Sequence, residues 1–196
     1  MKTRDKTLLS LIVVGVLGSL VAFGVYGLFT ATTQNAGNEI SAGTVAFSDN
    51  DAGSALYNIS GAAPGDSVTR CIKATYTGSL PAEVRFYSPS SPGTLAQYVD
   101  VTITQGTQAT SVFPDCTGFT PDSLGVIYSG TLQNFEQTHT NYANGIDAET
   151  SSADTFWHPN DSVVYQFVAT LQLGTPDTGQ GASTGVHSFE WEAQSD

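Results

Sequence analysis

The chain has 196 residues, with 18 Asp and Glu against six Lys and Arg, and a formal net charge of −12. Such a surface repels phosphate backbones and argues against nucleic-acid binding. Charged residues make up only 12% of the chain, and a Thr-, Ser-, Gly- and Val-rich mixture of this kind favours β structure with uncharged polar faces.

The first segment carries an export layout. Lys2, Arg4 and Lys6 precede the uncharged stretch from Leu8 to Phe29. A cationic start followed by an apolar run predicts a hydrophobic signal or anchor helix, oriented with its N-terminus in the cytoplasm. Cleaved signals usually hold about 7–15 apolar residues and spanning helices about 20, so residues 8–29 are long enough to cross a membrane. Val25 and Gly27 meet the small-residue demand of a cleavage site, with the cut between Gly27 and Leu28. The alternative is an uncleaved anchor holding the same domain outside the cell. The expected division is 1–29 as signal peptide or signal anchor and 30–196 as a single β-sandwich domain. That domain keeps Arg70, Lys73 and Arg85 against 17 carboxylates.

Next comes a Thr- and Asn-rich segment, uncharged apart from Glu39, that runs into Ile40–Phe47. A strand here pairs within its own domain or is donated to the sheet edge of a neighbour. Period-2 alternation predicts strands over 42–48, 55–60, 66–77, 82–88, 98–104, 124–132, 162–173 and 185–193. Pro- and Gly-containing turns separate them. The inner stripe comprises Val68, Ile72, Tyr76, Val99, Val101, Ile103, Tyr165, Phe167, Leu171, Phe189 and Trp191. About eight short strands of this kind predict an all-β fold: two antiparallel sheets packed as a sandwich. Residues 133–158 hold no such stripe and read as a long excursion over one end, with room for a short helix. Pro64-Gly65-Asp66-Ser67-Val68 and Pro159-Asn160-Asp161-Ser162-Val163 echo each other and open the two longest stripes.

Cys71 and Cys116 both fall in the exported part, where oxidation is expected, and lack the spacing of a metal or redox pair. They are expected to form a structural disulfide, worth roughly 4 kcal/mol in the chain-entropy model. No HExxH, GxSxG or His pair at i,i+4 occurs, so His139, His158 and His187 read as ordinary satisfied or exposed histidines. His187 shares the parity of Phe189 and Trp191. Asp49-Asn50-Asp51-Ala52-Gly53 matches the first half of a calcium loop, but Ser60 stands where the closing Glu belongs, and a plain turn is the better reading.

Three segments resemble the TasA/camelysin (CalY) family of secreted bacterial proteins. They are Leu28-Phe29-Thr30 leading to Gly37-Asn38-Glu39-Ile40-Ser41-Ala42-Gly43-Thr44-Val45; Ala63-Pro64-Gly65-Asp66-Ser67-Val68 with Tyr76-Thr77-Gly78-Ser79-Leu80-Pro81-Ala82; and Asn160-Asp161-Ser162-Val163 with Phe189-Glu190-Trp191-Glu192-Ala193. The resemblance implies a jelly-roll sandwich exported by a signal that a SipW-type signal peptidase removes. It also implies self-association into biofilm matrix fibres, in which a freed N-terminal strand completes the next subunit. Carried over, the donor strand begins with Phe29, Thr30, Ala31, Thr32 and Thr33. Camelysin relatives are described as surface metallopeptidases, but this chain carries no zinc motif, and it differs from the Bacillus members in its two cysteines and its scarcity of lysine. The expectation is a secreted, non-enzymatic structural protein without a cofactor. The alternatives are a surface metallopeptidase and a membrane-anchored adhesion or ligand-binding sandwich.

Overall fold

The structure, a computed structural model, describes residues 43–150 and 154–195. The apolar segment 8–29, the cut between Gly27 and Leu28, and the donor residues Phe29–Thr33 lie outside them. Among the described residues, no helix is long and apolar enough to cross a membrane.

Two antiparallel sheets face each other. The larger contains β1 (Phe47–Asp49), β2 (Ser67–Tyr76), β8 (Ser162–Leu171), β4 (Val99–Gln108) and β5 (Phe119–Thr131), in that spatial order. The smaller centres on β3 (Ala82–Tyr87). β9 (Glu190–Gln194) pairs along one edge of β3, while the two-residue strands β6 (Ile146–Asp147) and β7 (Phe156–Trp157) share the other. A short helix, α1 (Leu132–Thr138), follows β5; the Thr131 hydroxyl caps it by accepting the Asn134 N–H at 3.2 Å.

Alternation places the core. On β8 the side chains of Val163, Tyr165, Phe167, Ala169 and Leu171 are buried, and on β2 those of Ile72, Ala74 and Tyr76. Val101 and Ile103 of β4 complete the larger sheet's inner face. Phe86 of β3 meets this layer at the centre, with ring centroids 6.0 Å from both Tyr165 and Phe167 and 4.9 Å from Trp191. Eight of the eleven expected core residues are fully buried; Val68, Phe189 and Trp191 pack against the cluster but stay half-buried.

The echoed turns are structurally equivalent. Gly65 and Asn160 both adopt positive φ, +94° and +74°. Asp66 and Asp161 each accept, through a side-chain oxygen, the N–H of the residue three before, Ala63 at 2.8 Å and His158 at 2.7 Å. Gly65 N–H donates to Leu171 O at 2.8 Å, and Asn160 N–H to Tyr76 O at 3.0 Å. One clamp therefore closes each end of the β2–β8 ladder, and the two strands are related by a local two-fold axis.

Cys71 and Cys116 are bonded, with Cα atoms 5.2 Å apart. Cys71 lies on the face of β2 opposite Ile72, yet is only 1% exposed. The loop 109–118, which joins β4 to β5, reaches back to β2, where Pro114 O accepts the Cys71 N–H at 3.0 Å.

Several expected strand bounds change. β4 runs on to Gln108 rather than to 104, and β5 starts at Phe119 rather than at 124. Residues 55–60 form no strand, because Leu56 and Tyr57 are adjacent and both pack against the core, which breaks the period of two. Within the described part of 42–48, only Phe47 and Ser48 join a ladder; β1 runs to Asp49. The last strand begins at Glu190 rather than at 185.

Candidate functional site

Two features of the sandwich offer chemistry: a cavity between β1 and β9, and an open edge on the larger sheet. The cavity has a volume of ≈ 220 Å³. Asp49 and Asp51 line it together with Tyr57, His187, Phe189 and Trp191. A second cavity of ≈ 240 Å³ shares Asp49, Phe189 and Trp191 and extends to Phe47.

The acidic side is shaped by its own turn. The Asp51 N–H donates to Asp49 Oδ1 at 3.2 Å, and the Gly53 N–H donates to Asp51 Oδ1 at 2.6 Å. Ala52 and Gly53 take positive φ, +53° and +78°, which the reversal requires. Asn50 anchors the turn: its Oδ1 accepts the Lys73 N–H at 2.8 Å, and its Nδ2 donates to Ser111 Oγ at 3.1 Å. The calcium-like sequence is thus a capped turn whose carboxylates hold backbone N–H groups. Asp49 is pushed above the usual carboxylate range, first by burial and then by the neighbouring Asp51.

The opposite side rests on a buried polar chain. The Tyr57 hydroxyl lies 2.8 Å from His187 Nε2. His187 Nδ1 lies 3.8 Å from Glu136 Oε1, beyond hydrogen-bond reach. Glu136 sits on the inner face of α1 beside Leu132 and Phe135 and is only 2% exposed. Neither of its carboxyl oxygens has a hydrogen-bond partner among the described residues, nor does His187 Nδ1. Burial pushes Glu136 up to about 7 and pushes His187 down. Tyr57 is pushed well up, by burial first and then by the charge of Glu136. The order carboxyl, imidazole, hydroxyl is that of a nucleophilic triad, but an activated nucleophile needs its proton loosened, and here the phenol holds it more tightly. The Tyr57–His187 contact instead ties the loop after β1 to the approach to β9, with Glu136 of α1 packed behind it.

Of these three residues, only His187 stood out in the sequence, through its parity with Phe189 and Trp191. Leu132, Phe135 and Glu136 follow i, i+3, i+4 spacing, which would have placed Glu136 on a buried helix face. The other histidines lie elsewhere. The ring of His139 contacts Asn144 O at 2.8 Å, and His158 is half-exposed near Asp154 and Asp161. Among the described residues, no group of three or more His, Cys, Asp or Glu is placed to hold a metal ion.

The two borders of the larger sheet differ. β1 covers β2 only at Ala74–Tyr76. Beyond that, the N–H groups of Lys73 and Cys71 are taken by the Asn50 side chain and Pro114 O. At the other border, β5 pairs with β4 alone among the described strands. Its first half is broken by Pro121 and by Asp122, whose Oδ1 accepts the N–H groups of Leu124 and Gly125 at 2.8 and 3.1 Å. Residues 126–131 form the other half, hold no charged side chain, and begin with Val126, which is 56% exposed. Proline and charge, two usual protections of a sheet edge, are confined to the first half, whereas the register with β4 slips in both halves, at 122–125 and again at Ile127.

No family model matches the chain, and no curated protein matches it.

Proposed function

We propose that the chain is a non-enzymatic, secreted bacterial protein of jelly-roll type, and a subunit of extracellular matrix fibres assembled by strand addition. In this reading an N-terminal signal or anchor helix directs export, and a SipW-type peptidase cuts between Gly27 and Leu28. The freed segment starting at Phe29 then pairs with the next subunit. The resemblance to the TasA/camelysin family supplies the assembly mode, and the uncharged edge Val126–Thr131 is the observation that supports it. Main-chain hydrogen bonds along such an edge hold a Thr- and Asn-rich donor with little need for side-chain pockets.

The test is N-terminal sequencing of the exported protein, with electron microscopy of the mature chain and of a version lacking residues 29–37. The expected result is a mature start at Leu28, fibres from the mature chain, and a folded monomer from the truncated one. Fibres forming at the same rate without residues 29–37 would refute strand donation. The cavity beside Asp49 favours a second reading, a surface-anchored ligand-binding sandwich, for which an intact N-terminus on the cell would be the mark.

A further inference from the structure

The cavity between β1 and β9 combines features that select one kind of ligand. Asp49 and Asp51 stand next to each other, and neither takes part in any ion pair among the described residues. Three aromatic rings, Tyr57, Phe189 and Trp191, share the cavity with them. The His187 side chain, only 9% exposed and held at Nε2 by the Tyr57 hydroxyl at 2.8 Å, also lines it. Two carboxylates beside aromatic side chains suit a cation that also carries apolar surface.

We propose that this cavity binds an alkylammonium group, its charge held by Asp49 and Asp51 and its hydrocarbon lying against Tyr57, Phe189 and Trp191. A volume of ≈ 220 Å³ is about seven times the share of one liquid water, enough for n-butylammonium or the end of a lysine side chain. A bare divalent cation suits the site poorly. Calcium seeks about six to eight oxygen ligands, whereas one oxygen of each aspartate already accepts a backbone N–H and the remaining lining is largely aromatic. The charge of the chain points the same way, since a net −12 raises the local concentration of small cations.

The experiment is a titration of the full chain in non-ionic detergent, followed by two-dimensional NMR. The indole N–H of Trp191 is the reporter, and that of the fully buried Trp157 is the internal reference. The probes are n-butylammonium chloride, N-acetyl-lysine methylamide, n-butanol and calcium chloride. n-Butylammonium is expected to shift Trp191 and the amides of Asp51 and Gly53, with a Kd on the order of 1 mM, and to leave Trp157 in place. n-Butanol, equal in shape but neutral, is expected to bind at least tenfold more weakly. Tighter binding of the lysine derivative assigns the site to a partner's lysine side chain, and tighter binding of butylammonium assigns it to free amines. The double variant Asp49→Asn, Asp51→Asn keeps the oxygens that cap the turn and is expected to weaken butylammonium at least tenfold. Equal binding of butanol and butylammonium overturns the proposal, and so does calcium shifting the same amides at lower concentration. Unchanged affinity in the double variant overturns it too; should that variant not fold, the wild-type comparison of the amine with the alcohol decides. The binding is read on single chains, so its failure is separable from failure of fibre assembly.

Discussion

Replacing Glu136 by Gln tests whether a carboxyl is held in the core against its own charge. Burial raises this group from 4.5 to about 7. Such a change corresponds to about 3 kcal/mol of preference for the protonated form in the folded state. Because the folded value lies above the unfolded one, the destabilisation is absent below about pH 4.5, grows as the pH rises, and is fully present above about 7. Glutamine has the same shape and stays neutral throughout. Glu136→Gln should therefore be within about 1 kcal/mol of wild type at pH 5 and more stable by up to about 3 kcal/mol at pH 8. His187 is pushed in the opposite sense and weakens the fold as pH falls below its ordinary value of 6.5. Repeating the comparison in a His187→Gln background removes that contribution together with its coupling to Glu136, 3.8 Å away. Tyr57 stays protonated across this range. Urea unfolding at pH 5, 6, 7 and 8, followed by tryptophan fluorescence, supplies the numbers. A difference that does not change with pH would refute the reasoning, and a variant less stable at pH 8 would reverse it.

Cys71→Ser should lower stability by about 2–5 kcal/mol, and native protein should show no thiol reactive towards a maleimide. Phe167→Ala, at the centre of the inner layer, should cost about 3–5 kcal/mol, whereas Gln166→Ala on the opposite face should cost well under half of that in the same urea assay. Trp191→Ala should fall between them, because Trp191 is half-buried at the cavity.

The longest ladders could be read directly from the chain. β2, β4 and β8 each carry an apolar stripe long enough to declare its face, and their turns are written in Pro, Gly, Asn and Asp. β6 and β7 could not be read, since two residues cannot display a period; they exist because β3 offers them an edge. Leu56 and Tyr57 mimic a strand in composition, but both turn inward and the backbone never enters a ladder. The site was legible only in fragments. The Asp49–Gly53 turn and His187 each caught attention separately, but they lie more than 130 residues apart, and only the closing of β9 against β3 sets them around one cavity. Glu136 was hidden because α1 is short and sits within a segment dominated by Asn and Thr, where polarity suggested a loop.

The bond between Cys71 and Cys116 also sets a path for mechanical load. Cys116 precedes the first residue of β5 by only a few positions, while Cys71 lies in β2, three places away in the sheet order β1-β2-β8-β4-β5. Tension entering through β5 would otherwise peel it from β4, and then β4 from β8, one hydrogen bond after another. With the bridge in place, the pull passes through a covalent link to β2, on the far side of β8 and β4. The sheet is then loaded across its width rather than unzipped from its border, so the ladders between β5 and β2 share the force.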